Sequence, residues 1–122
     1  MDVKYFRDAA GREPVREFID DLYHHRKGAA AKAVAYIDRV LGRHQPGGPP
    51  LPANYVKALG DGLFELRPEH GNVEYRIYFT IDNRGTAWLL HATQKRPNRR
   101  TEQAEIDRAY RYLQQQREGR QQ

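Results

Sequence analysis

The stretch from Gly62 to Lys95 constrains this chain most. Three segments within it alternate apolar and polar residues: Leu63–Arg67, Tyr75–Ile81 and Thr86–Thr93. Pro68–Asn72 and Asp82–Gly85 separate them and read as turns. Period-two alternation rich in aromatic and β-branched residues, bounded by Gly, Pro, Asn and Asp, predicts strands. Short connections predict an antiparallel meander. Successive side chains on a strand point opposite ways, so the pattern also sorts the faces. Tyr75, Ile77, Phe79 and Ile81 share one face, and Arg76, Tyr78 and Thr80 the other. Phe64 and Leu66 oppose Glu65 and Arg67, while Trp88 and Leu90 oppose Leu89, His91, Thr93 and Lys95. One face can serve as core. The other gathers Arg67, Arg76, Tyr78, His91 and Lys95.

Around this stretch the chain reads as a single domain over 1–122, long enough for one modest core. No run of about 18 apolar residues is present, so no membrane span is expected. Met1–Phe6 lacks the apolar core of a signal peptide, and cysteine is absent. Together these lead to an expected cytoplasmic location, without disulfides or thiolate metal sites. The net charge of +5 and pI near 9.6 favour polyanionic partners, nucleic acid first and acidic protein second.

Val3–Arg7 reads as a short first strand. Pro14 suits the first position of a helix whose stripe is Val15, Phe18, Ile19 and Leu22, with Lys27-Gly28 as its end. Ala29–His44 predicts a second helix with a stripe of Val34, Ile37 and Leu41, Ala33 and Val40 lying alongside. The pair predicts a helical hairpin laid on one sheet face. Gln45–Ala53 holds four of the seven prolines and two glycines, and reads as a loop. Tyr55–Leu59 is a short strand or an extended lead-in to the Gly60-Asp61-Gly62 turn. After the meander, Gln94–Arg100 is a basic loop. Thr101 is a plausible helix N-cap, Glu102 and Glu105 suit the first turn, and Ile106, Ala109, Tyr110 and Leu113 form a stripe. The polar tail, from about residue 115 to 122, is expected to fray.

The basic face and the loop beyond it carry the chemistry. Cleaving RNA without a metal needs a base for the ribose 2′-hydroxyl, an acid for the leaving 5′-oxygen and cations for the phosphorane. Arginine matches two phosphate oxygens with one planar fork. His91 titrates near neutral pH, and Lys95 among arginines would have its pKa pushed down. Tyr78 could stack on a base or donate a proton. Arg96, Arg99 and Arg100 continue the basic face, and Arg99 and Arg100 would be outer phosphate contacts or solvated charge. The competing reading is a solvated basic surface, or a site for an acidic partner, with His91 merely structural. His24, His25 and His44 lack partners at metal-ligand spacing, so neither a metal nor another cofactor is expected. Gly60-Asp61-Gly62 is no phosphate loop, because no Lys-Ser/Thr and no helix follow it.

The order Lys57-Ala58-Leu59-Gly60-Asp61-Gly62-Leu63-Phe64-Glu65-Leu66-Arg67, then Glu74–Phe79, then Leu89–Arg96, then a helix with Glu105, Ile106 and Ala109, resembles the phage-derived, HigB-like branch of the RelE/ParE toxin superfamily. The resemblance covers nearly the whole chain, and its specificity lies in the combined pattern. It implies a RelE-like α+β fold: an antiparallel sheet of about four strands, an N-terminal helical hairpin and a C-terminal helix. It implies the toxin of a type II toxin–antitoxin system, a ribosome-dependent, metal-independent mRNA endoribonuclease that inhibits translation. Its partners would be the ribosome, mRNA and a small antitoxin, often a helix-turn-helix protein. Carried over by motif, Arg67 and Arg76 would hold the scissile phosphate. His91 and Lys95 would move protons or stabilise charge, Arg96 would support them, and Lys57 would add a contact. The stretch Leu63-Phe64-Glu65-Leu66 lacks the lysines that RelE itself has there, and Arg99-Arg100-Thr101-Glu102 lacks its tyrosine. Both departures shift the chemistry toward His91 and Lys95 and leave the general base open. ParE-like relatives share the fold and inhibit DNA gyrase without cutting RNA. A non-catalytic RNA-binding module is a third reading.

Overall fold

The computed structural model describes residues 1–67, 75–94 and 99–120, with the side chains of Arg99 and Arg120 excepted. In chain order the elements are β1 (Val3–Tyr5), α1 (Pro14–His25), α2 (Lys27–Ile37), a π-helical turn (Asp38–Gly42), β2 (Val56–Gly60), β3 (Leu63–Leu66), β4 (Tyr75–Ile81), β5 (Ala87–Gln94) and α3 (Arg99–Arg120). The strands form one five-stranded sheet in the order β1-β5-β4-β3-β2. β2 to β5 are the expected antiparallel meander. β1 adds a fifth strand, and it pairs with β5 in parallel. The reason is topological. The helical hairpin carries the chain from the β1 edge to the β2 edge, and the meander then returns to lie beside β1.

Helix α1 begins at Pro14 as expected, and Arg26 ends it by leaving the helical region, at φ −146° and ψ 75°. That single residue makes the joint, so Lys27 and Gly28 open α2 and do not close α1. The buried face of α2 is also rotated from the expected stripe. Ala30, Ala33, Tyr36 and Ile37 are buried, whereas Val34 is 47% exposed. Tyr36 decides the rotation. Its ring meets Tyr55 edge-on at 5.9 Å, and its hydroxyl donates to the Arg67 carbonyl. The π turn then inserts extra chain per turn, which brings Val40 and Leu41 inward together.

One sheet face and the hairpin enclose a core that includes Val15, Leu41, Leu66, Ile77, Phe79 and Leu89. Phe79 stacks on Phe64 at 5.5 Å. Each such buried side chain contributes about 1.5–3 kcal/mol. The opposite face, expected to be a basic surface, is covered as well. Helix α3 lays Ala109 and Leu113 on Phe6, Leu63, Tyr78 and Leu90. The cause is the apolar stripe of α3, which must bury against something, and the second sheet face offers the apolar area.

The C-terminal half of α3 continues as helix to Arg120. The Gln115 side chain accepts from the Ala9 N–H at 2.9 Å, and Gln116 is buried. The Tyr110 hydroxyl lies 3.0 Å from both the Leu59 and Gly60 carbonyls. Arg117 donates to the Asp61 carbonyl at 2.7 Å. The β2–β3 turn they grip has Gly60, Asp61 and Gly62 all at positive φ, which explains the paired glycines. A Cβ at Gly62 would meet Arg117 Nη2 at 2.6 Å.

Candidate active site

Cross-strand pairing brings Lys57, Glu65, Tyr78 and His91 into one row across β2, β3, β4 and β5. Arg76 opposes Thr93 in the next row. Arg67 follows the last β3 residue, Leu66, whose partner is Ile77, so the register leads it toward Arg76.

A β-bulge puts His91 in that row. Tyr78 pairs with His91 and Phe79 with Leu89, which leaves Leu90 as an extra residue on β5. Strict alternation predicts Leu89 on the face of His91, with Trp88 and Leu90 opposite. In the structure Leu89 joins the hairpin core, while Leu90 and Trp88 join Tyr78 on the α3 side. His91 is on that side too, its ring stacked on Tyr78 at 5.9 Å and 13°.

Two carboxylates of α3 reach down to this row. Glu102 binds the Arg76 guanidinium, and Glu105 Oε2 lies 2.6 Å from His91 Nε2. Residues 102, 105, 106, 109 and 113 fall at helical spacing, so the acids continue the apolar stripe toward its N-terminal end. Below Arg76, its Nε lies 3.2 Å from Glu65 Oε1. Glu65 is only 2% exposed. That contact is an ion pair without hydrogen-bond alignment, since neither atom has a hydrogen-bond partner among the described residues. Burial pulls the Arg76 pKa down, but Glu65 and Glu102 outweigh it, and the net direction is upward.

His91 is 8% exposed and meets the Tyr112 ring edge-on at 5.7 Å. Burial holds its pKa below the ordinary value, against the opposing pull of Glu105. For Glu105, burial pushes upward, yet the hydrogen bonds from His91 and Thr93 prevail and its pKa is lowered. The two directions describe one state, a neutral imidazole beside an ionised carboxylate. A carboxylate only accepts, so Nε2 carries the proton and Nδ1 is left as the basic nitrogen.

The other sequence-derived residues divide clearly. Tyr78 is fully buried, so it presents no face to an incoming base. The stacking role expected for it would require the cover provided by α3 to move. Its hydroxyl has no hydrogen-bond partner among the described residues. Burial first, then the charge of Glu65, pushes its pKa up to about 12. Arg67, Lys57 and Arg100 are exposed. The Arg67 backbone is pinned, its N–H donating to the Tyr55 carbonyl at 2.7 Å and its carbonyl accepting from Tyr36. Arg99 opens α3. Lys95 and Arg96 lie outside the described residues. The structure thus brings Arg76, Tyr78 and His91 together and adds Glu65, Glu102 and Glu105. The signal for the two helix acids was their spacing from Ile106 and Ala109. Among the described residues no group of three or more metal-ligating side chains converges.

This architecture can be set beside known families. The family model described as "Phage derived protein Gp49-like (DUF891)" matches residues 20–114. The chain belongs to this family. The match spans most of the Gp49-like chain, from within α1 to within α3, and contains every candidate residue named above. No curated protein matches the chain. Among the described residues of this Gp49-like protein, no helix is long and apolar enough to cross a membrane.

Proposed function

We propose that this Gp49-like protein is the toxin of a type II toxin–antitoxin system, of the HigB-like branch of the RelE/ParE superfamily, and cleaves mRNA on the ribosome. The observation that carries the reading is the bulge-built cluster of Arg76 and His91, with Arg67 led toward it at the end of β3. Arg76 would hold the scissile phosphate, with Arg67 beside it. His91, neutral and released from Glu105, would take the proton of the ribose 2′-hydroxyl as that oxygen attacks phosphorus. Lys95 would supply the proton for the leaving 5′-oxygen, and Arg96 would support it. Lys57, Arg99 and Arg100 would guide the RNA backbone. Glu102 and Glu105 occupy the guanidinium and imidazole edges that an RNA phosphate and hydroxyl would use. Engagement therefore requires the N-terminal turns of α3 to yield, while its C-terminal half stays fastened. A small antitoxin would neutralise the protein in the cytoplasm.

The same two contacts favour a second reading, a non-enzymatic ParE-like inhibitor of gyrase in which Arg76 and His91 only secure α3. Induction in a bacterial host with mapping of mRNA 5′ ends separates the two. In-frame, codon-linked cuts are expected. Growth arrest with intact message would sink the nuclease and direct attention to gyrase supercoiling.

A further inference from the structure

The two edges of the sheet are treated differently. At β2 the chain closes its own edge: the Val56 N–H donates to the Pro52 carbonyl at 3.0 Å, and the Tyr110 hydroxyl lies 3.0 Å from the Leu59 and Gly60 carbonyls. At β1 no strand lies on the outer side, and a cavity of about 360 Å³ borders the strand there. We infer that β1 and this cavity form a docking site for an extended segment of a partner protein, which adds to the sheet as a further strand and carries an acidic residue between two apolar ones. The inference goes beyond the nuclease reading and does not depend on it.

Three observations carry it. First, half of the β1 backbone is unused. The Ala87 N–H donates to the Asp2 carbonyl at 2.8 Å, and the Phe6 N–H to the Leu89 carbonyl at 3.0 Å. In a parallel ladder alternate residues bond to a given neighbour, so Asp2, Lys4 and Phe6 serve β5. Val3 and Tyr5 therefore turn their N–H and C=O groups to the open side. An added strand supplies partners for them, as an RNA backbone cannot.

Second, the cavity lies on the side to which an added strand would point its apolar residues. Its lining includes Val3 and Tyr5 of β1, Leu89 of β5, and Val34 and Ile37 of α2. Val3 and Tyr5 pack on the hairpin core, and residues directly opposite them across a ladder share their face. Val34 marks the unfilled contact, because it is a large apolar side chain left 47% exposed at the rim. Asp38 also borders the cavity, but Arg43 engages it at 3.1 Å. The surface on offer is therefore apolar side chain and open backbone, which is what specific strand addition uses.

Third, Lys4 sets the charge of the segment. It alternates with Val3 and Tyr5 and so points to the other sheet face. There it is exposed, with its ammonium 5.5 Å from the centre of the Trp88 ring. Among the described residues no carboxylate pairs with it. The residue opposite Lys4 on an added strand meets this ammonium, which selects Asp or Glu. Asp2 is exposed on the same face, so the acid is confined to that one position. The net charge of +5 adds a general attraction for acidic partners. A second copy of the chain is a poor occupant. Two-fold antiparallel pairing through Val3 and Tyr5 sets Lys4 against Lys4 of the other copy, and like charges directly opposite destabilise a pair.

The test pans a phage-displayed random peptide library on the full chain, then maps the best peptide by NMR of the isotope-labelled protein. Peptides with an apolar–acidic–apolar centre are expected, with shifts at the Val3, Tyr5 and Val34 amides and new exchange protection at Val3 and Tyr5. Lys4→Glu should weaken that peptide about fivefold, the scale of a cross-strand charge pair, and should select basic centres when the library is panned again. Val34→Glu should weaken it about tenfold, the scale of one buried aliphatic side chain. Both positions are exposed, so both variants should keep the parent's unfolding midpoint, and the map from the unaltered protein stands in either case. Peptides that bind without a response at Val3 and Tyr5, or whose centre is unchanged with Lys4→Glu, would overturn the site. So would an empty selection. Protection of the Val3 and Tyr5 amides in the free protein that rises with concentration would give the edge to a second copy and overturn the partner. None of these outcomes bears on mRNA cleavage, so the nuclease reading stands or falls separately.

Discussion

The two faces of the sheet are covered by helices in different ways. On the hairpin face, apolar side chains from α1, α2 and the π turn meet buried apolar side chains from β3, β4 and β5, with partly buried ones from β1 and β2. On the α3 face, only the C-terminal part of the contact is of that kind. Its N-terminal part is made by Glu102 on Arg76 and Glu105 on His91. Apolar contact is indifferent to pH and salt and is lost only by unfolding. Ion pairs and hydrogen bonds to a carboxylate respond to protonation and to competing anions, and half-buried ion pairs add little net stability. The hairpin face therefore carries the fold. The α3 face holds candidate chemistry under a cover that charge can move.

This contrast can be broken most sharply on the hairpin face. Phe79→Ala is expected to cost about 3–5 kcal/mol in urea unfolding, because the side chain is fully buried and stacked on Phe64. A loss below about 1 kcal/mol would remove the distinction between the faces. Next comes Arg76→Ala, expected to cost about 3 kcal/mol, mostly because Glu65 stays buried without its partner. Replacing both, as Arg76→Met with Glu65→Leu, should restore most of that loss. If the double variant is no better than the single, the penalty does not come from the stranded carboxylate.

Between pH 7.5 and 5.5 the pH response should come from the α3 face. The pKa of His91 is below its unfolded value of 6.5, so the neutral form is preferred in the folded state. The stability this provides is full above pH 6.5 and is lost as pH falls through the folded value. Glu105, also lowered, loses its contribution in turn as pH falls below its unfolded value of 4.5. Unfolding midpoints should drop between pH 7.5 and 5.5 in the parent, and less so in His91→Gln. An identical drop in both would assign the response elsewhere. The smallest effect is expected from Glu102→Gln, under about 1 kcal/mol, since its side chain is 37% exposed.

The strands, the hairpin and the C-terminal helix were legible because periodicity reports which residues a chain must bury. Tyr75–Ile81 is recovered residue for residue. Three features were not legible. The bulge at Leu90 violates the alternation that sequence reading relies on, and no Gly or Pro marks it. The rotation of α2 depends on a long-range bond from Tyr36 to Arg67. The cover over Tyr78 follows from where α3 docks, which a stripe on α3 does not specify. For the site, a basic face was visible in the pattern of Arg67, Arg76 and His91. Glu65 lay on that face in the alternation and Glu102 and Glu105 lay on the α3 stripe, but which cations they meet was not legible, because that follows from strand register and from where α3 docks.

The most direct test uses translating ribosomes with a defined message, read by primer extension, and compares the parent with Arg76→Lys and His91→Gln at matched unfolding midpoints. The account predicts codon-linked cuts with the parent and at least a hundredfold fewer with either variant, on the scale of lost acid–base or charge stabilisation. Cuts of equal strength from the variants would contradict it. So would an intact message from the parent.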